Sequence, residues 1–427
     1  MMDFATLYPF YTPDLDLKYL MNNYNKHNIL DKIVRFAMIF TLIGAITSPP
    51  LASLAEILIV LMLLSSKTLH QLLLKSWQQP MVKAALILYA IICIGILYSK
   101  APLQDSLNTW WSWRKLLLLP IALAIFNTPI WKRCLLNTII SFTSIIACIS
   151  FILWTINYVP PISASVEGGA GILLRDRVVQ SMAFSAGAFS AILLAVYTAK
   201  TRMKLMLIAS SILLMANILL VTPARSGYLA LIIYITVLVG VYASWKNWSI
   251  FKILRLSGIA TAFMIMMMLL VPASQQRIFS GLYEVQNYSH TDQAAGTMGL
   301  RLAIWENVPP LIWASPVFGH GTGAYRTVYS QRIAGLPYLA LTPTHDPHNQ
   351  YLKMAVEHGI VGLMAFILLL VMAFFQIASS SLYRILGLGV MAAWCATSFA
   401  TSHFSTFPEG TFIFVWLGVM LAQEVKL

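Results

Sequence analysis

Charged residues are scarce in this chain of 427 residues. Lys, Arg, Asp and Glu make up 10% of the sequence, against the roughly 25% that is typical of a soluble globular domain. Hydrophobic residues account for 59%, and the mean hydropathy is +0.76. These values exclude a soluble protein, and they predict an all-α chain that crosses a membrane many times.

Cysteine is also scarce, and the first residues do not predict a signal peptide. The four cysteines, Cys93, Cys134, Cys148 and Cys395, fall inside or at the end of apolar runs, at spacings too irregular for a zinc site. This placement excludes a disulfide framework, and we expect all four to be packing residues. Residues 1–20 carry acids and aromatics where a signal peptide would have a basic region. We therefore expect the first span to be retained.

Apolar runs long enough to cross a bilayer, about 20 residues each, recur along the chain. Ser48, Pro49 and Pro50 separate the first two runs, so these could form a re-entrant or interfacial pair in place of two full spans. The runs predict about twelve transmembrane helices, near 33–47, 51–65, 82–98, 113–127, 134–156, 179–199, 203–221, 227–244, 252–272, 355–377, 382–399 and 408–424.

The basic residues predict the orientation of these spans. Most of them lie in short loops on one side, such as Lys200, Arg202 and Lys204, and that side is predicted to be the cytoplasm. Because they follow topology and form no stripe, they do not indicate a nucleic-acid partner. Basic residues on the outer side need another explanation, and an anionic ligand is one. They are Lys100, Arg114, Lys115, Arg175, Arg177, Arg225, Arg277, Arg301, Arg326, Arg332 and Lys353.

The predicted spans divide the chain into three parts. Residues 1–272 would hold about nine spans, residues 273–354 a long outer connection, and residues 355–427 about three spans. The connection contains aromatics, prolines and a glycine cluster at residues 319–323, so we expect short helices in it. Loops of this length usually carry function.

Two arginines on the outer side are candidates for binding phosphate. Arg225 lies where one span ends and the next begins, and a guanidinium there can grip a phosphate with two hydrogen bonds. Arg301 is predicted to open an amphipathic helix with Leu302 and Trp305 on one face, lying on the membrane. The alternatives are snorkelling to lipid headgroups for Arg225 and an ordinary solvated side chain for Arg301.

A histidine-rich segment, residues 344–352, leads into the tenth predicted span. Pro347 favours an extended residue before it and can start the helix after it, which would put His348 at the mouth of the outer connection. Histidine has an ordinary pKa of about 6.5, which suits it to take a proton from a sugar hydroxyl. A metal site formed by His345, Asp346 and His348 is the rival interpretation.

Three weaker features lie nearby on the outer side. Arg177, with Gln180 one turn later, stands at the entry of another span and is assigned to the site from topology. Residues 110–115 resemble an interfacial aromatic belt with two cations. Glu56, in the second span, is expected to be solvated or hydrogen-bonded rather than to relay protons.

Taken in order, these motifs resemble those of the O-antigen ligase and O-antigen polymerase superfamily of bacterial envelope glycan transferases. The resemblance covers the chain from the first span onward and is sharpest over residues 219–362. Its pieces are the Arg225 turn, the stretch from Arg301 to Trp305, residues 316–323, His348 to Leu352, and Glu357 to Gly362.

The resemblance implies a GT-C-like architecture and a metal-independent, cofactor-free glycosyltransferase in the bacterial inner membrane. Such an enzyme moves a glycan from undecaprenyl diphosphate to lipid A core oligosaccharide on the periplasmic face, among membrane lipids. Carried over, Arg225 and Arg301 would bind the diphosphate, and His348 would activate the acceptor hydroxyl for inverting attack. Asn349 and Tyr351 match the motif and would contact substrate, orient His348 or close the helix start.

Other functions share these motifs or this layout. A chain polymerase and a protein O-oligosaccharyltransferase would use the same donor with another acceptor. A lipid-glycan flippase belongs to a different class, but transporters place ionisable residues near the bilayer midplane and show paired halves. Here the charges crowd one face and no repeat is visible, which favours transfer chemistry.

Overall fold

The structure, a computed structural model, describes residues 29–161, 169–288, 296–334, 343–376 and 381–424. These residues are mostly helical and contain no β-strand, which confirms the all-α prediction. The helices are α1 Ile29–Thr47, α2 Pro49–Ser65, α3 Lys67–Ser76, α4 Pro80–Leu97, α5 Leu103–Ser112, a 3-10 helix Trp113–Leu117, α6 Leu118–Ile125, α7 Pro129–Thr155, α8 Arg177–Val196, α9 Thr201–Leu220, α10 Arg225–Trp245, α11 Ile250–Leu270, α12 Pro272–Gln286, α13 Gly296–Asn307, α14 Pro309–Ala314, α15 Tyr325–Ile333, α16 Gln350–Phe375, α17 Ser381–Thr397 and α18 Phe407–Met420.

The protein is a polytopic membrane protein. Seven helices of the described residues, α4, α7, α8, α9, α10, α11 and α16, are long and apolar enough to cross a membrane. Helices α2 and α3 meet at an angle of 103° and form either a broken span or a re-entrant loop. A helix stands at each of the twelve predicted segments, but α17 and α18 are short and α1 carries three charges. The number twelve therefore stays a prediction.

Helix α8 lies at the centre of the bundle, since 89% of its apolar stretch is buried, against 11% for α11. Small residues allow neighbouring helices to approach it closely. A Cβ at Gly227 of α10 would lie 2.7 Å from Cβ of Ser181, and one at Gly389 would meet the ring of Phe189. The starts of α8 and α10 therefore lie side by side, which places Arg177 and Arg225 at one end of the bundle.

The same end holds the starts of α16 and α18 and the end of α4. The backbone N–H of Ser405 donates to the side chain of Gln350 at 2.9 Å, and the N–H of Lys100 donates to the carbonyl of His320 at 2.9 Å. At the opposite end, Lys132 Nζ donates to the carbonyl of Ala422 at 2.6 Å. Segments predicted to face outward thus meet at one end, which we call the outer end.

Helices α12 to α15 occupy the long connection, which agrees with the expected short helices. Apolar side chains of α13, α14 and α15 form a small cluster of their own, which also includes Val356 and Leu352 of α16. Helix α13 begins at Gly296 rather than at Arg301, so Arg301 lies inside the helix. The cluster ties this segment to the membrane helix that follows His348.

Helix α16 is interrupted at Gly359, whose φ of 61° and ψ of −159° are open essentially to glycine alone. The glycine cluster and the residues just before it supply hydrogen-bond partners for the backbone groups of α16 at this interruption. The N–H groups of His320 and Gly321 donate to the carbonyls of Val356 and Glu357 at 2.9 and 2.8 Å, and the N–H of Ile360 donates to the carbonyl of Pro316 at 2.9 Å. These backbone contacts satisfy the hydrogen bonds that the interrupted helix cannot make within itself.

Polar contacts join the 3-10 helix to α2 and to the residues just before α18. Glu56 accepts a hydrogen bond from Arg114 Nε at 2.8 Å, so it is hydrogen-bonded as expected. Lys115 Nζ donates to the carbonyls of Ser405 and Thr406 at 2.6 and 2.7 Å and is fully buried. The expected aromatic belt at residues 110–115 is therefore partly internal.

Two packing expectations were wrong in detail. Trp113 is 1% exposed and packs against Phe414, because the 3-10 helix turns it into the bundle. All four cysteines are free, but Cys148 is exposed on α7 rather than packed, since it lies on the face of that long helix turned away from its neighbours.

Candidate functional site at the outer end

Arg225 is the first residue of α10, and neighbouring segments hold its side chain firmly. Its Nε and Nη2 donate to the carbonyl of Arg277 at 3.2 and 3.0 Å, and its Nη1 donates to Oγ1 of Thr297 at 2.9 Å. The hydroxyl of Ser280 lies 3.3 Å from Nη2. Its side chain is 22% exposed, so the guanidinium is fixed between α12 and α13 and still reaches solvent.

Gly281 and Glu284 of α12 pack against the guanidinium of Arg225. A Cβ at Gly281 would lie 2.5 Å from Nη2 of Arg225, so only glycine leaves room there. Glu284 Oε1 lies 3.9 Å from the same nitrogen, and Glu284 Oε2 accepts a hydrogen bond from the N–H of Met298 at 2.6 Å. Glu284 thus holds the start of α13 and partly offsets the charge of Arg225.

One face of α13 connects Arg225 to the histidine segment. Thr297, Arg301 and Trp305 follow one another at intervals of four residues, which puts them on one face with about 6 Å of rise between neighbours. Thr297 accepts from Arg225, and Trp305 Nε1 donates to the carbonyl of Pro347 at 2.9 Å. Arg301 therefore lies midway between the Arg225 contact and the residue that precedes His348.

His348 occupies a tight turn before α16. Its φ is +52°, a left-handed value that is uncommon for residues other than glycine. Its backbone N–H donates to Asp346 Oδ1 at 2.9 Å, and the same oxygen accepts from Ser402 Oγ at 2.5 Å. The turn is thereby tied to the loop between α17 and α18.

Asn349, and not Pro347, begins the helix that follows. Its side-chain oxygen accepts from the N–H groups of Tyr351 and Leu352, both at 3.0 Å, and its Nδ2 donates to the carbonyl of Phe399 at 3.1 Å. It is therefore the N-cap of α16, one of the roles that the sequence left open.

Tyr351 is also held by the protein. Its hydroxyl donates to the carbonyl of Cys395 at 2.9 Å, and its ring lies 4.5 Å from that of Phe399. These contacts fix the first turn of α16 against α17. Contact of Asn349 or Tyr351 with substrate stays a prediction.

Arg177 is the first residue of α8, at the same outer end of the bundle. Asp176 caps the helix by accepting from the N–H of Val179 at 2.8 Å. Gln180, fully buried, accepts from the N–H groups of Leu173 and Leu174, which fixes the loop before the helix. Asp176 also interacts electrostatically with Glu409, at the start of α18.

Arg277 also belongs to the candidate site. From the sequence it was only one of the basic residues predicted on the outer side. Arg177 and Arg277 both lie close enough to Tyr228 of α10 to act electrostatically on its phenol, which donates to Ser274 at 2.7 Å. The Nε of Arg277 is buried, with no hydrogen-bond partner among the described residues. Helical spacing in residues 272–286 would have placed Ser274, Arg277 and Gly281 on one face.

The outer end therefore favours an anion. Arg177 and Arg225 are the first residues of α8 and α10, whose helix dipoles add positive potential at this end. The backbone carbonyl of Arg277 accepts from Arg225, and Arg301 lies one turn of α13 from Thr297, the other partner of Arg225. Among the described residues, no three His, Cys, Asp or Glu side chains are placed to hold a metal ion together, and this includes residues 345, 346 and 348. Burial, then the charge of Arg326, lowers the pKa of His345.

Comparison with known proteins points in the same direction. Residues 210–367 match a family model described as O-antigen ligase, which confirms the resemblance predicted from the sequence. The matched region contains Arg225, Arg301 and His348 and leaves Arg177 outside. A protein of Haemophilus influenzae, described as uncharacterized, is 24% identical over 270 residues, which cover 61% of this chain and 64% of the relative. The chain thus matches less than two thirds of that relative's length.

Proposed function

Because residues 210–367 match a family model described as O-antigen ligase, we propose that this protein transfers a glycan from undecaprenyl diphosphate to lipid A core oligosaccharide. The reaction takes place on the periplasmic face of the bacterial inner membrane. The face of α13 is the observation that carries the proposal, because it holds Arg301 between the anchored guanidinium of Arg225 and the turn that contains His348.

The arginines act on the donor. Arg225 and Arg301, with Arg177, hold the diphosphate and neutralise the charge that develops on it as the bond to the sugar breaks. Fixed guanidinium groups need no reorganisation at that moment, and the contacts of Arg225 with Arg277 and Thr297 supply this rigidity. Undecaprenyl diphosphate leaves with the bonding electron pair.

His348 acts on the acceptor. It takes the proton of a core hydroxyl while the hydroxyl oxygen attacks the anomeric carbon from the side opposite the diphosphate. The new glycosidic bond therefore has inverted configuration. Binding of the diphosphate, neutralisation of the leaving group and deprotonation of the acceptor all use side chains alone, so the proposal requires no metal ion and no cofactor.

A transfer assay with purified protein tests this proposal. The donor is undecaprenyl-diphosphate glycan, the acceptor is lipid A core, and parallel reactions contain EDTA, His348→Ala or Arg225→Ala. We expect wild-type protein to glycosylate the core with or without EDTA, and both variants to lose transfer. Matched controls are His70→Ala and Arg202→Ala, which remove exposed side chains from connections predicted to face the cytoplasm.

Other products would replace the proposal with a rival function. Growth of glycan on glycan would identify a polymerase, and transfer to an added periplasmic protein would identify a protein O-oligosaccharyltransferase. Movement of the donor across a vesicle membrane without any transfer would identify a flippase. Loss of transfer in EDTA, restored by a divalent cation, would contradict the metal-independent mechanism.

A further inference from the structure

The backbone of His348 is held in a conformation that it would not keep unaided. A left-handed φ costs a residue other than glycine on the order of 1–3 kcal/mol, and it persists only where the surroundings fix it. Among the described residues, only Asn157 and Asn247 share this feature with His348. Asparagine adopts left-handed φ values more readily than most residues, so the left-handed backbone of His348 needs a specific structural cause.

Asp346 supplies that cause. Its Oδ1 accepts the backbone N–H of His348, two residues later, which is the hydrogen bond of an Asx turn. The same oxygen accepts from Ser402, 56 residues further along the chain, at 2.5 Å. One carboxylate oxygen thus closes the turn and attaches it to the loop between α17 and α18.

Two further contacts show that the whole turn is anchored. Asn349, on the other side of His348, donates to Phe399 in that same loop. Trp305 of α13 donates to the carbonyl of Pro347. The backbone of the turn is therefore tied to the membrane helices on one side and to the helix that carries Arg301 on the other.

We propose that Asp346 is a positioning residue for His348 and that Ser402 holds its carboxylate in place. This inference rests on the proposed function, in which His348 deprotonates the acceptor. Asp346 acts by hydrogen-bond acceptance, since the N–H of His348 and the hydroxyl of Ser402 both donate to it. Its loss displaces the imidazole and slows the chemical step, while the arginines continue to bind the donor.

The test compares Asp346→Ala, Asp346→Asn and Ser402→Ala in the same transfer assay. A displacement of about 1 Å costs on the order of 100-fold in rate, so we expect Asp346→Ala to lower kcat by 10- to 100-fold. The donor KM should stay within about threefold of wild type, because ground-state binding is retained. Asp346→Asn keeps an acceptor oxygen and should recover most of the activity.

Ser398→Ala is the matched control for Ser402→Ala. Ser398 is equally buried at the start of the same loop, directly after α17, and its hydroxyl has no hydrogen-bond partner among the described residues. We expect Ser398→Ala to behave as wild type and Ser402→Ala to lower kcat. Size-exclusion chromatography of each variant in detergent separates a positioning effect from loss of folded protein.

The outcomes separate this inference from the proposed function. Absence of transfer by wild-type protein, or full activity of His348→Ala, would refute the proposed function itself. If His348→Ala is inactive and Asp346→Ala retains wild-type kcat, the function stands and the positioning role is wrong. If Asp346→Asn is as inactive as Asp346→Ala, the charge of the carboxylate matters rather than its acceptance of hydrogen bonds, which also overturns the inference.

Discussion

Replacement of Gly281 by alanine should move Arg225 without removing its charge. The new Cβ would lie 2.5, 2.7 and 2.9 Å from Nη2, Cζ and Nε of Arg225, whereas ordinary contacts begin at 3.4 Å. The guanidinium must therefore retreat by about 1 Å. Its hydrogen bonds to Arg277 and Thr297, now 2.9–3.2 Å, would then exceed hydrogen-bonding distance.

The expected effect of Gly281→Ala is a loss of transfer. Misplacement of a catalytic group by about 1 Å costs on the order of 100-fold in rate, which equals about 2.7 kcal/mol of transition-state binding. We expect kcat/KM for the undecaprenyl-diphosphate donor to fall by roughly that factor. Glycine in a helix is otherwise worse than alanine by about 1 kcal/mol, so the variant should still fold.

Gly258→Ala in α11 is the control, because a Cβ there meets no atom within 4 Å. It makes the same chemical change inside a helix and should keep full activity. A kcat/KM for Gly281→Ala within about threefold of the Gly258→Ala value would refute the claim that anchoring of Arg225 matters.

Three further predictions concern stability, measured as Tm in detergent. Gly359→Ala should lower Tm sharply, because its φ and ψ suit only glycine and a Cβ would clash with the carbonyl of Val317, while Gly258→Ala serves as control. Burial raises the pKa of Asp176 from 3.8 to about 6, so its charge opposes folding above that pH. Asp176→Asn should therefore raise Tm at about pH 7.5 relative to wild type, and the difference should vanish below about pH 4; a constant difference would contradict this cause. Glu56→Gln leaves Arg114 without its counter-charge, so adding Arg114→Met should recover part of the lost Tm, and simple additivity would speak against a coupled pair.

The apolar runs predicted where the helices lie, because only helices satisfy the backbone inside a bilayer. Breaks within them were harder to predict. Gly359 sits in a sequence that reads as continuous helix, and its left-handed φ depends on the glycine cluster, which lies about 40 residues earlier in the chain. Ser66, the N-cap of α3, marks the break between α2 and α3, but no local pattern predicts the 103° angle between them.

The positions of the candidate site residues could be predicted in part, and their roles stay predictions. Arg225 stood out because a charge at the end of an apolar run is costly. Arg301 stood out at the start of a predicted amphipathic helix, and His348 as a histidine at the mouth of the long outer connection. In the structure, Arg225 contacts Thr297 of α13, Arg301 lies on the same face of that helix, and Trp305 donates to the carbonyl of Pro347, the residue before His348. Asp346 was considered only as a ligand of the rival metal site, because its hydrogen-bond partner Ser402 lies 56 residues away, in a loop that carries no motif.

The sequence also left local roles open that tertiary contacts decide. Asn349 matched a family motif, but only the N–H groups of the following turn identify it as a helix cap. Glu284 and Gly281 carry no recognisable pattern, since their importance comes from the guanidinium of Arg225 that rests on them. A residue that supports another can be found only once both are placed.

The break in α16 has a consequence for how the protein is assembled during synthesis. The glycine cluster that fills the break, and α4 on which the cluster is seated, both precede α16 in the chain. Carbonyls freed at Gly359 would cost several kcal/mol each in hydrocarbon if nothing donated to them. Because the N–H groups that donate to these carbonyls are synthesised first, we expect α16 to pack against them as it enters the membrane. A circular permutant that reversed this order would have to insert α16 with its backbone carbonyls unsatisfied.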